Sequence, residues 1–110
     1  MNQHEHMKRI RARCVELLEN GKKRTQGRWE SDNWDTTIQT DDQIVAVATT
    51  SNRENDSPFI ASCAGPAEAG WKATIAAIDL MFAMHGLAGI DIHALDATGA
   101  IIAAWPEELL

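Results

Sequence analysis

Three short groups of residues carry donors or acids of the kind that catalysis and metal binding use. His4, Glu5 and His6 combine imidazole with carboxylate, a donor set suited to zinc or nickel. Three adjacent residues near the start of the chain do not enclose an ion by themselves, and a frayed polar end over residues 1–6 accounts for them. Asp91 and His93 stand two residues apart, which on a strand puts both on one face, where a carboxylate orients an imidazole for acid–base work. No nucleophile is linked to the pair, and alternation with Ile90 and Ile92 already explains their polarity as an exposed strand face. Cys63, in Ser62-Cys63-Ala64-Gly65, falls at the end of an expected short helix, where the dipole raises a thiol pKa instead of lowering it. The chain has no GxxxxGKS/T phosphate loop and no GxGxxG. Its glycines at 65, 70, 86, 89 and 99 punctuate elements without clustering. The residues therefore mark no catalytic group, no metal ligand and no cofactor site, and the expectation is a protein that is not an enzyme.

Charge is the stronger signal. Of ten Lys and Arg, eight fall within the first 28 residues, against Glu5, Glu16 and Glu19, for a formal +5. Residues 29–110 hold Arg53 and Lys72 against thirteen acids, for −11, within a net charge of −6. A chain polarised in this way either folds its basic end onto its own acidic body or offers the two ends to different partners. Arg9, Arg13, Lys22, Lys23, Arg24 and Arg28 are the candidate contact cations. Trp29 and Trp34 are the candidate anchors, since Trp and Arg are enriched at binding hot spots. Lys and Arg beside an aromatic also suit nucleic acid, by phosphate neutralisation and base stacking, although the acidic remainder repels a duplex. The Asp and Glu are scattered over turns, so they form no phosphate-mimicking strip.

Length and composition set the frame. At 110 residues the expectation is one domain, able to bury roughly 65% of its unfolded surface. Seventeen of the apolar residues are Ala, so the core is thin and subunit contact is expected to complete it. Cys14 and Cys63 make no disulfide framework and read as reduced thiols of a cytoplasmic protein. The longest apolar-rich run, from Ala73 to Met84, is interrupted by Thr74 and Asp79 and is too short to cross a bilayer.

The elements that position these residues follow from periodicity. Met7, Ile10, Cys14, Leu17 and Leu18 predict a helix over Met7–Asn20, ended by Gly21. Its charges run against the macrodipole, basic at the start and acidic at the end, so helix stability does not explain them. Gly21–Gly27 is a basic connector. Thr36–Thr40 and Gln43–Thr50 predict a hairpin around Asp41-Asp42, with Ile44–Ala48 apolar on both faces and so covered on both sides. Ser51–Ser57 is a polar loop, and Pro58 starts a short helix to Cys63 with Asp56 or Ser57 as its cap. A break at Gly65-Pro66 precedes a helix to about His85, stopped by Gly86. On it, Trp71, Ile75, Ile78 and Phe82 form a bulky stripe suited to a sheet. Ala69, Ala73, Ala77, Leu80 and Met84 form a flatter stripe, and the homodimer contact is expected at Ala69, Ala73 and Ala77. Ile90–Ala94, a turn at Asp96–Gly99 and Ala100–Trp105 predict a second hairpin. The expected fold is α+β, an antiparallel sheet of two hairpins packed against helices in the order α-ββ-αα-ββ.

Residues 27–80 also resemble a group of small accessory proteins of bacteriophages and prophages. The resemblance rests on Gly27-Arg28-Trp29, a hairpin between Ile38 and Ala48, Pro58-Phe59-Ile60-Ala61, and a helix after Pro66. The group's plan is GxW, a short hairpin, NAxFIAxA and a helix. Here Ser57-Pro58 stands where the plan has Asn-Ala. The resemblance brings no catalytic residues. It implies a bacterial cytoplasm and a role in binding a host or defence component, as anti-CRISPR proteins do.

Overall fold

The computed structural model describes residues 2–110 except 33, 35, 36, 42, 48–50, 90 and 92–94. Among them the order is α1 (Gln3–Lys22), β1 (Glu30–Ser31), β2 (Thr37–Gln39), β3 (Ile44–Val47), α2 (Arg53–Ser62), α3 (Pro66–Ala88) and α4 (Asp96–Ala104), then a 3-10 turn over Glu107–Leu109. This is α+β, with one antiparallel sheet in the order β1-β2-β3. The chain divides into two compact units: Met1–Glu19 with Trp71–Leu110, and Asn20–Gly70.

The first unit is helical. Met7, Ile10 and Cys14, three and four residues apart on α1, are buried against Ile78 and Met81 of α3. Trp71, Ile75, Phe82, Ile101, Ile102 and Trp105 pack around them. The bulky stripe of α3, expected on a sheet, thus packs with helices α1 and α4. Residues 3–6, expected to fray, are helical, with the His6 Nε2–H donating to the Trp105 carbonyl at 2.8 Å and the His4 ring 4.7 Å from Phe82.

The C-terminal hairpin is overturned. Asp96–Gly99 forms the first turn of α4, and Ala100–Trp105 continues it into its C-cap instead of returning as a strand. Alanines at 97, 100, 103 and 104 favour helix, and Ile101 and Trp105, four apart, reach one core, which the turn-like Asp96–Gly99 disguised. The partner strand expected at 90–94 lies, apart from Asp91, outside the described residues. At the end of α3 the chain runs past Gly86 to Gly89. There a φ of +65° and a Gly89 N–H to His85 carbonyl bond of 3.0 Å make the left-handed cap that an L side chain resists.

The second unit carries the sheet. The hairpin joins β2 to β3 as expected, with Ile38 opposite Ala46 and a bulge between Ile38 and Gln39. Asp42 of its turn lies outside the described residues. β1 adds a strand on the far side of β2, pairing Glu30 with Gln39 and Ser31 with Ile38. α2 packs on β1 and β2. β3 is an edge strand of the described sheet, and the described residues do not cover it on both sides as expected: Val45 is half-buried, but Ile44 is 62% and Val47 65% exposed. α2 begins at Arg53, not Pro58, with Asn52 as its cap. Glu54 and Asp56 favour the first turn through the helix dipole, so the polar run is helical and Pro58 sits inside it, deleting one backbone bond.

Candidate interaction surface

The expected contact residues separate into two classes. Arg9 and Arg13 lie on α1 in the first unit, where Arg13 Nη1 pairs with Glu16 at 2.8 Å. On the same helix Arg11 reaches across to α3. Its Nε and Nη2 donate to the two carboxylate oxygens of Asp79 at 2.7 and 3.2 Å. That fork holds the Asp79 carboxyl below its ordinary pKa, chiefly through the hydrogen bond, and raises the Arg11 guanidinium above its own.

Lys22, Lys23, Arg24, Arg28, Trp29 and Trp34 lie in the second unit. Arg24 is not a free surface cation. Its Nε donates to Glu68 Oε1 at 2.6 Å, its Nη1 to the carbonyls of Thr25 and Gly27 at 2.6 and 3.2 Å, and its guanidinium lies 5.5 Å from the Trp29 ring centre. Trp29 is partly buried and donates its indole N–H to the Thr25 carbonyl at 2.9 Å. Arg24, Trp29 and Glu68 therefore fix the connector after α1, a structural task the sequence did not announce. Gly21 contributes as well: a Cβ there would stand 3.0 Å from Glu68 Oε2, so glycine makes room for the carboxylate. Gly21 does not end α1, which runs to Lys22.

Arg28 is well exposed and pairs with Glu30 at 3.2 Å, and Lys22 and Lys23 are exposed. Arg28, Trp29 and Glu30 line an open depression of about 310 Å³ together with Pro58, Ala61 and Pro66. Trp34 stands in the turn after β1 and is 80% exposed. Sequence reading missed the apolar side chains of the same unit that face solvent, namely Ile44, Val47 and Phe59, the last 71% exposed. The signal is present in Phe59, an aromatic one residue past the proline at which the short helix is expected to start.

The remaining chemical groups do not gather. Cys14 is buried, which pushes its thiol pKa up, and Cys63 is exposed with its Sγ 3.6 Å from the Phe59 carbonyl. His4, Glu5 and His6 contact Phe82, Lys8 and Trp105 respectively, and no cluster able to hold a metal ion exists among the described residues. His93, the imidazole of the Asp91 pair, lies outside them. No described helix is long and apolar enough to cross a membrane. Comparison with protein families, curated proteins and solved structures finds no match to this chain.

Proposed function

We propose that this chain is a non-enzymatic interaction protein that binds another protein through its second unit. The observation that carries the reading is an inversion of the usual burial. Among the described residues of that unit only one large apolar side chain, Ile38, is buried, while Trp34, Ile44, Val47 and Phe59 are exposed. Exposed apolar side chains on an edge strand, here Ile44 and Val47, and exposed aromatics such as Trp34 of the turn after β1 and Phe59 of α2 are what a docking partner buries. Arg28, Lys22 and Lys23 supply cations in the same unit, so an acidic partner surface fits. The resemblance of residues 27–80 to phage accessory proteins directs the search to host proteins and, first among them, to components of bacterial defence that such binding would inhibit.

A nucleic-acid reading has one observation in its favour, the exposed Trp34 in the same unit as Lys22, Lys23 and Arg28. One experiment separates the two. Bacterial lysate is passed over immobilised wild type and over Val47→Glu/Phe59→Glu, each with and without nuclease. A protein retained by wild type after nuclease treatment and lost from the double variant supports protein docking. Equal retention by both removes the apolar surface from the argument. Retention abolished by nuclease, and falling steeply as salt rises, moves the reading to nucleic acid.

A further inference from the structure

Helix α3 buries one face and leaves a second one bare. Ile78 and Met81 are buried, whereas Ala73, Ala76, Leu80, Ala83 and Leu87 are exposed, Leu80 to 61% and Leu87 to 91%. These five succeed one another at intervals of three, four, three and four residues. That is the 3.5-residue repeat of a helix packed lengthwise on another helix. Of the expected contact at Ala69, Ala73 and Ala77, Ala69 and Ala73 are exposed and Ala73 belongs to this seam, whereas Ala77 is half-buried.

The order of side chains along the seam identifies the occupant. Laid antiparallel on itself about a two-fold axis, it sets Leu80 opposite Ala83 of the second copy and Leu87 opposite Ala76. The two-fold repeats both pairings, so each of four layers joins one large and one small side chain. A parallel pairing sets Leu on Leu and Ala on Ala, with gaps at every alanine layer. An antiparallel pairing shifted by one heptad brings Asp79 beside Asp79 of the second copy, like charges at one level. The unshifted arrangement brings Asp79 beside Gly86 instead, and Arg11 already neutralises that carboxylate through bonds of 2.7 and 3.2 Å. A copy of this chain can therefore approach despite a net charge of −6, because the seam itself carries no unpaired like charge.

We propose that α3 is the interface of an antiparallel homodimer, with Leu80 and Leu87 of each copy seated on Ala83 and Ala76 of the other. The proposal needs no host partner and stands whether or not the docking reading holds. Sedimentation equilibrium over a concentration series should give twice the chain mass for wild type. It should give the chain mass for Leu80→Glu/Leu87→Glu, whose substituted positions are exposed and whose helical circular dichroism should be unchanged. A second measurement fixes the register. In a Cys63→Ser background, oxidising a mixture of Ala76→Cys and Leu87→Cys chains should yield a covalent heterodimer, and neither chain should link to itself. Wild type at the chain mass throughout, or Leu87→Cys linking to itself as parallel pairing requires, overturns the proposal.

Discussion

Arg24 holds the connector after α1 by four contacts at once: Glu68, two backbone carbonyls and the face of Trp29. Breaking a partly buried pair of this kind leaves Glu68 and two carbonyls short of a donor, at a cost of about 1–3 kcal/mol. Arg24→Ala should lower unfolding free energy by that amount, read from the midpoint of a urea transition at unchanged slope. Arg24→Lys should recover less than half of the loss, because one ammonium cannot span the positions that the planar fork reaches. A change in Arg24→Ala within about 0.5 kcal/mol of wild type would mean that solvent already satisfies these groups. The sequence offered, as one of two outcomes, that cations crowded into residues 8–28 would fold onto the chain's own carboxylates. It did not say which, because Arg24 and Glu68 are 44 residues apart and nothing local links them. Trp34 and Arg28 were legible as exposed contact types. Ile44, Val47 and Phe59 were not, since hydrophobic character alone predicts burial, and only an unfilled neighbouring space exposes it.

At the scale of elements, local patterns were readable wherever one periodicity dominated. The 3–4 spacing on α1, the β-branched runs of β2 and β3, and the long apolar helix α3 all lie where expected, with ends moved by a few residues. Failure came where two signals competed. Asp96–Gly99 reads as a turn and so implies a returning strand over Ala100–Trp105, yet that run has an alanine-rich helical propensity, and the core contact of Ile101, Ile102 and Trp105 decides for helix. Likewise Pro58 is a start signal, yet Glu54 and Asp56 before it suit the first turn of a helix that already begins at Arg53, and the proline falls inside α2. Gly99 tests the correction directly. In a hairpin turn with positive φ, an added Cβ would be strained and Gly99→Ala would destabilise. In α4 that Cβ meets nothing within 4 Å beyond its chain neighbours and the helix's own backbone, so the same change should stabilise by up to about 1 kcal/mol through helix propensity. A thermal midpoint that falls in Gly99→Ala would restore the turn and undo α4.

Across the whole chain, the two compact units differ in how they are held. The helical one encloses Met7, Ile10, Cys14, Ile78 and Met81, while the one bearing the sheet has Ile38 as its single large buried side chain among the described residues. Local opening free energy follows buried apolar contact, so the sheet should open well before the helices do. Native-state hydrogen exchange should therefore find the amides of Ile38, Gln39 and Val45 less protected than those of Ile10 and Cys14, by about tenfold or more. The two thiols give an independent reading, because each unit holds one. Exposed Cys63 should react with a thiol reagent at once, while buried Cys14 should wait for the helical unit to open. If the chain instead unfolds in one cooperative step, Cys14 labelling and strand amide exchange will report a single opening free energy. The thin packing of the second unit would then be no weakness, and the exposed Trp34, Ile44, Val47 and Phe59 would lose their standing as the half-finished core that a partner completes.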